Sequence, residues 1–334
     1  MNSKTINLIL PGLFAGFQPS ELETSAVTEP FLIQRLLSKA DAIFPAEPAT
    51  EVFSADYLKQ YPLAFYEYVS ANKEATPAQT VFYATPVSLD LKSDHIVAMP
   101  LSTGADNLQQ LARLVDKCNQ HFEEDGLLFH LLPSGTIIGI SSQHAAAQMI
   151  PVYDVYGRDI KHFLPKGENA KFWLRLFNET QMLLHEYFDL NERIYNQKEL
   201  NSFWFWGAAE NNKQASLSAA FVGKPEWLKG YCQFNHVKHY AFDEITKHDD
   251  ETLYLIDESL LAASSCGDFT AWKNALRIVE AELLAPLYQL LKSGDISQIN
   301  FHSPTVCYQL KRSHRFRFYR KNKTIMQLCV KSHE

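Results

Sequence analysis

The densest set of metal-capable side chains in this 334-residue chain is His236, His239, His248, Asp249 and Asp250. A His-x-x-His pair can present two imidazoles from one helix face, and zinc takes three or four such ligands. The spacing here matches no standard zinc motif. The surrounding stretch, 235–251, is rich in His, Lys and acids and reads as a surface loop. No metal ligand is assigned from it.

A second polar group is Asn178, Gln181 and His185, which share a ridge at i, i+3 and i+7 when the stretch is helical. With Glu179, Asn201, Trp204 and Trp206 they form a candidate ligand-binding set. The amides would supply neutral donors and acceptors, His185 a charge that switches near neutral pH, and the indoles an apolar wall. The bland reading of the same ridge is a solvated helix face. Glu179, Glu186 and Glu192 are close enough in sequence for acid–base work by paired carboxylates, yet their helical positions put them in water first. A serine nucleophile needs an activating base and an oxyanion site, and no GxSxG elbow is present. No catalytic residue is identified.

The third group is Lys311 to Lys323, KRSHRFRFYRKNK, with seven Lys or Arg residues and no acid. Arg315 and Arg317 alternate with Phe316 and Phe318, as in a strand with one buried face. Such a strand reads as a charged edge that resists aggregation. The sharper alternative is a phosphate- or nucleic-acid-facing patch of Arg315, Arg317 and Arg320 with aromatic stacking.

The elements that must position these groups follow from periodicity. Between 172 and 187, Phe172, Trp173, Leu176, Phe177, Thr180, Leu183, Leu184 and Tyr187 fall on one half of a helical wheel. Arg175, Asn178, Glu179, Gln181, His185 and Glu186 fall on the other, with Met182 the one apolar residue among them. This predicts an amphipathic helix. Ser202 to Trp206 is apolar after the serine, which predicts a strand buried on both faces at the centre of a sheet, with Gly207 as its exit. Ile6 to Leu10 predicts a first buried strand stopped by Pro11-Gly12.

Further helices are expected after Pro30, carrying Phe31, Leu32, Leu36 and Ile43, around 55–71 with a break near Pro62, after Thr103, after Pro225 and from an Asp268 N-cap. Pro286 is expected to bend or restart the last of these, and Gly294 to close it. Strands are expected at 81–83, 95–99, 217–222, 253–256, 296–301, 306–310, 316–319 and 325–330. A hairpin should link 127–130 to 136–140 across Pro133-Ser134-Gly135.

Hydrophobic residues make up 46% and charged residues 21%, enough for a sizeable core. The expectation is one large α/β domain over 1–334, with 143–170 as an excursion or sub-domain edge. A net charge of −7 argues against a general nucleic-acid binder. The five cysteines, Cys118, Cys232, Cys266, Cys307 and Cys329, are widely spaced with no CxxC pair, as for free thiols in a reducing compartment. No run reaches the roughly 18 to 20 apolar residues of a membrane span. The apolar stretch from Ile6 to Phe17 is split by Pro11-Gly12, so it is a poor signal peptide. A cytoplasmic protein is expected, with no membrane partner.

Asn178-Glu179-x-Gln181-Met182-Leu183-Leu184-His185, followed by Asn201-Ser202-Phe203-Trp204-Phe205-Trp206-Gly207, resembles a family of bacterial RpfE-type regulatory proteins. These are loosely labelled cofactor-independent phosphoglycerate mutases. Softer matches are residues 6–13, His121 to Leu127, Gly267-Asp268-x-x-Ala271-Trp272 and the basic aromatic tail. The mutase label implies a layered, mixed-sheet fold similar to the alkaline-phosphatase superfamily, with helices on both faces. Such enzymes hold two divalent metals with Asp and His, and their first strand usually ends in an Asp near a Gly. Leu10-Pro11-Gly12-Leu13 stands at that place without the Asp, and Asp94-His95 and His248-Asp249 do not sit in the family's metal pattern. Ala208-Ala209-Glu210 and Tyr83-Ala84-Thr85-Pro86 also depart from it.

The resulting expectation is a non-catalytic regulatory protein, binding a small ligand or a partner protein on a mutase-like scaffold, with no cofactor. The alternative is a phosphohydrolase or phosphomutase that uses Mn or Zn on a small phosphorylated metabolite.

Overall fold

The computed structural model describes residues 4–14, 31–43, 58, 61–71, 80–101, 108–142, 147–190, 200–208, 219–303 and 306–323. In chain order the strands are β1 (Thr5–Ile9), β2 (Asp41–Ile43), β3 (Thr80–Leu91), β4 (Ile96–Pro100), β5 (Leu127–Leu131) and β6 (Ile137–Ser141). They continue as β7 (Ser202–Trp206), β8 (Ala220–Gly223), β9 (His239–Tyr240), β10 (Thr252–Ile256), β11 (Gln298–His302) and β12 (Cys307–Lys311). The α-helices are α1 (Leu32–Lys39), α2 (Leu63–Ala71), α3 (Leu108–Phe122), α4 (Ala170–Leu190), α5 (Glu226–Phe234), α6 (Leu261–Ser265), α7 (Phe269–Val279) and α8 (Ala285–Ser293). The chain is of the mixed α/β class, as expected.

Two compact units are present. The first takes Met1–Tyr57, Ala215–Leu228 and Asn235–Glu334. Its sheet has the order β2-β12-β11-β1-β10-β8-β9. β11, β1, β10, β8 and β9 run parallel, and β12 and β2 add antiparallel strands at one edge. β1 and β10 pair Ile6 with Leu253 and Leu8 with Leu255, so these alternate residues share a face. That face builds a core with Leu36, Trp272, Leu276 and Leu287 from α1, α7 and α8. The opposite face carries Asn7, Tyr254 and Phe221, the last two rings stacked at 5.4 Å.

Pro286 acts as expected, by a particular means. A π-helical turn, Glu280–Leu284, separates α7 from α8. The wider turn accommodates a ring that can neither donate an N–H nor fit tightly over the preceding carbonyls. Glu280 in this turn accepts the Ile33 N–H at 2.8 Å, supplying from another helix the N-terminal partner that α1 lacks. Gly294 closes α8 in the left-handed conformation, φ 95°.

The second unit takes Leu58–Gln214 and Lys229–Phe234. Its antiparallel sheet has the order β4-β3-β6-β5, with β7 on the other side of β3. Phe82, Trp173 and Phe205 pack edge-on or tilted with centroids 4.8 to 6.1 Å apart, and Phe82 also meets Phe129 at 6.1 Å. Trp173 comes from α4, whose Leu176, Phe177, Thr180 and Leu184 are buried while Asn178, Met182, His185 and Glu186 are exposed, so the wheel is correct. The stretch 147–170 forms short 3-10 turns that dock on β4, with Gly157 N–H donating to Ala98 O at 2.9 Å.

Several expectations are corrected. β7 is buried at every position, yet among the described residues it pairs with β3 alone and does not sit at a sheet centre. The helix after Pro30 ends at Lys39, and Ile43 lies on the short strand β2 instead. The runs 81–83 and beyond form one long strand through Leu91. Residues 316–319 are not a strand, because a 3-10 segment, Arg312–Phe316, follows β12 directly. Strand 325–330 and Cys329 lie outside the described residues. Cys118, Cys232, Cys266 and Cys307 are free thiols.

Candidate functional site

In parallel α/β sheets, ligands collect at the carboxyl ends of the strands. In the first unit three polar side chains meet on one face, two at mid-strand and the third, His302, at the carboxyl end of its strand. Asn7 belongs to β1, and Asn300 and His302 to the adjacent β11, in register Asn7 with Asn300. Asn7 Oδ1 accepts from Asn300 Nδ2 and from His302 Nε2, each at 2.9 Å. Asn300 Oδ1 in turn accepts from Gln298 Nε2 at 2.7 Å. This chain of donors fixes each amide's orientation and places the imidazole proton on Nε2, leaving Nδ1 as an acceptor. Burial holds the His302 pKa below its ordinary value, so the ring is neutral at pH 7. Cys307 faces His302 across the β11–β12 pair, and burial pushes its thiol up to about 11. The relay is therefore built wholly from uncharged groups.

The turn that follows β1 is filled by protein. Gly12 has φ 84°, and a Cβ there would lie 2.3 Å from Ser264 Oγ and 2.8 Å from Leu260 O. Its carbonyl accepts the Trp272 indole N–H at 2.9 Å. Next to it, Asp257 follows β10, donating its N–H to Ile9 O at 3.2 Å while its Oδ1 accepts from Ser259 N–H at 2.9 Å. Glu258 accepts the Trp227 indole N–H at 3.0 Å. Among the described residues no three His, Cys, Asp or Glu side chains come together at one point. Leu10 follows β1, and Asp257 and Glu258 each accept a protein N–H, so among the described residues this turn gathers no set of three ligands for a metal.

The His-rich loop is likewise engaged by its own neighbours. Asp250 accepts from Lys238 Nζ and Tyr240 O–H, both at 2.7 Å. Lys238 beside it holds its carboxyl below the usual range. His248 stacks on Tyr240 at 3.8 Å, and His239 Nε2 meets Gly223 O at 3.1 Å. His236 is the one described non-glycine residue with positive φ, 54°.

The residues expected to form a pocket in the second unit fall into two groups. Asn178 and His185 lie on the exposed face of α4, with Gln181 half-buried beside them. Glu179 pairs with Arg175 at 2.7 Å, and Arg175 reaches Asp125 at 2.7 Å. Trp204 lies beneath the helix against Phe177, centroids 5.9 Å apart, and donates to Ile150 O at 2.9 Å. Trp206 packs tilted against Tyr83, centroids 4.6 Å apart, and donates to Thr85 Oγ1 at 2.8 Å. Asn201 turns its amide onto the backbone of Leu89, accepting from N–H at 2.7 Å and donating to O at 3.0 Å. The indole N–H groups of both tryptophans are thus taken by protein acceptors, while Asn178 and His185 stand on the exposed face of α4.

In the basic segment, Arg317 and Arg320 both reach Asp41, while Arg315 lies exposed with its guanidinium 4.5 Å from the Phe316 ring.

Asn7, Asn300 and His302 were not singled out from sequence, although one signal was present. Each is a polar residue at an alternate position of an otherwise apolar strand, Ile6-Asn7-Leu8 and Ile299-Asn300-Phe301-His302.

No family model matches the chain. Among curated proteins it is 32% identical over 74 residues to a probable 2,3-bisphosphoglycerate-independent phosphoglycerate mutase of Geobacter sulfurreducens, covering 22% of this chain and 18% of that protein. It is 20% identical over 219 residues to the corresponding mutase of Methanosarcina mazei, covering 62% of this chain and 54% of that protein. The chain thus aligns with about half or less of each relative. Among solved structures, the PH0037 protein of Pyrococcus horikoshii aligns over 92% of this chain and 87% of its own, with 13% identity and a TM-score of 0.48. A cofactor-independent phosphoglycerate mutase from Thermoplasma acidophilum aligns over 92% and 90%, with 14% identity and a TM-score of 0.36. In sequence, the chain is similar to mutases of the 2,3-bisphosphoglycerate-independent type over part of their length.

Proposed function

We propose that this protein is a non-catalytic regulatory protein, of the RpfE type, that binds a small polar ligand on a mutase-like scaffold in the cytoplasm. The observation that carries this reading is the uncharged relay of Asn7, Asn300 and His302, which runs from mid-strand to the carboxyl end of β11 at His302. Phosphoryl transfer requires charge to be stabilised where it develops, by cations, metal ions or aimed N–H donors. The relay instead offers neutral hydrogen-bonding atoms, with His302 Nδ1 as an acceptor for a ligand hydroxyl or amide. Asn201, Trp204 and Trp206 belong to packing in this reading, since their polar atoms are already engaged within the protein.

The alternative is a metal-dependent phosphomutase or phosphohydrolase, and the similarity to mutases favours it. One experiment separates the two. Protein purified without chelator is analysed for bound metal and assayed with 3-phosphoglycerate and a generic phosphate ester, with added Mn²⁺ or Zn²⁺. The regulatory reading expects no stoichiometric metal and no turnover. Turnover that follows metal content would replace it with the alternative.

A further inference from the structure

The segment that follows β12 exposes three aromatic rings within four consecutive residues. Phe316 is 62% exposed, Phe318 88% and Tyr319 70%. The backbone beneath these rings is held firmly. Arg317 donates to Lys39 O at 2.9 Å and to both oxygens of Asp41. Arg320 donates to Ala40 O at 2.9 Å and reaches Asp41 at 3.3 Å. Lys323 N–H donates to Ser38 Oγ at 2.7 Å. Two cations thus sit on the carbonyls at the C-terminus of α1, where the helix dipole favours positive charge. The rings project from a turn that is pinned in place, so little ordering is left to be done on binding.

Around the rings, Lys311, Arg312, Arg315 and Lys321 are exposed. They belong to a run of seven basic residues with no acid, in a chain whose net charge is −7. An anionic surface would therefore attract this segment and repel the remainder, which orients the molecule.

We propose that residues 311–321 form a peripheral docking turn for an anionic phospholipid surface, with Phe316, Phe318 and Tyr319 entering the headgroup region and the exposed cations pairing with lipid charge. Aromatic tips with basic flanks suit that boundary, where the ring body enters the apolar side and the charge stays in water. Single-stranded nucleic acid is the other polyanion to weigh. It needs ring faces in sequence for successive bases. Here Phe318 and Tyr319 stand at 79° to each other, and one face of Phe316 is taken by Arg315. The geometry favours insertion over stacking. No helix among the described residues is long and apolar enough to cross a membrane, so the contact is with the surface.

The test is flotation of the full chain with vesicles of phosphatidylcholine alone or mixed with phosphatidylserine, alongside binding to a single-stranded oligonucleotide. The expected result is recovery with the mixed vesicles only, weakened by salt. Each exposed cation should contribute about fivefold to the partition coefficient, so Arg315→Glu should lower it by more than that. Phe318→Ser combined with Tyr319→Ser should abolish recovery while leaving the melting temperature unchanged, since both side chains are exposed. Absence of vesicle binding, equal binding to both vesicle types, or binding unaffected by these substitutions would overturn the proposal. So would binding of the oligonucleotide without binding of vesicles.

Discussion

His302 donates its Nε2 proton to Asn7 Oδ1 at 2.9 Å, joining neighbouring parallel strands through side chains as well as backbone. The bond fixes the tautomer of a largely buried imidazole, and burial holds its pKa below the ordinary value. The folded state therefore binds fewer protons than the unfolded chain as pH falls through the ordinary histidine range. Stability contributed by neutral His302 is complete above about pH 6.5 and is lost as pH falls toward the folded pKa. Nitrogen NMR should show an Nε2-protonated ring that stays neutral below that pH. An Nδ1–H tautomer would refute the relay. Asn7→Ala should cost about 1–3 kcal/mol, because a buried donor loses its acceptor.

Glu280 titrates in the opposite sense. Its pKa is raised by burial, against the lowering effect of the Ile33 and Leu32 N–H groups. The folded state holds the proton to higher pH than the unfolded chain does. Stability is therefore greatest below the ordinary glutamate value and declines as pH rises from there through the folded pKa. Glu280→Gln should flatten that part of the melting-temperature profile. A profile identical to the parent's would show that the carboxyl is not buried.

Asn119 presents its amide to the backbone of Phe129, accepting from N–H at 2.7 Å and donating to O at 3.0 Å. It thereby occupies ladder positions on β5, the last strand of its sheet among the described residues. Asn119→Leu should lower stability by about 1–3 kcal/mol and increase aggregation on heating. Unchanged light scattering would argue that the edge is protected by other means.

Gly12→Ala tests the closed turn after β1. The added methyl would meet Leu260 O as well as Ser264 Oγ, at a backbone conformation with φ 84°. Backbone strain of this kind costs about 1–3 kcal/mol. Chemical denaturation should show that loss. Since Ser264 Oγ lies closest to the added Cβ, Ser264→Gly in the same background should recover part of it.

The sequence by itself determined the local elements whose signals are short-range. The α4 wheel, the β1 run ending at Pro11-Gly12, the Asp268 cap and the Pro286 break all follow from neighbouring residues, because helix faces, caps and proline geometry are set within a turn or two of the chain. The Asp268 carboxylate accepts from Ala271 N–H at 2.8 Å as its type and position predict. Burial of every residue in β7 was equally legible from its composition. What tertiary structure decided was which strands pair and which polar atoms are already used. Asn7 and His302 are 295 residues apart in the chain, so no periodicity relates them. Trp204, Trp206 and Asn201 carry the right groups for a pocket, yet Ile150, Thr85 and Leu89 engage their polar atoms. The basic tail reads as a strand by alternation. Its arginines instead find Asp41 and the C-terminus of α1, and that distant partnership turns the chain outward and leaves the aromatic rings exposed.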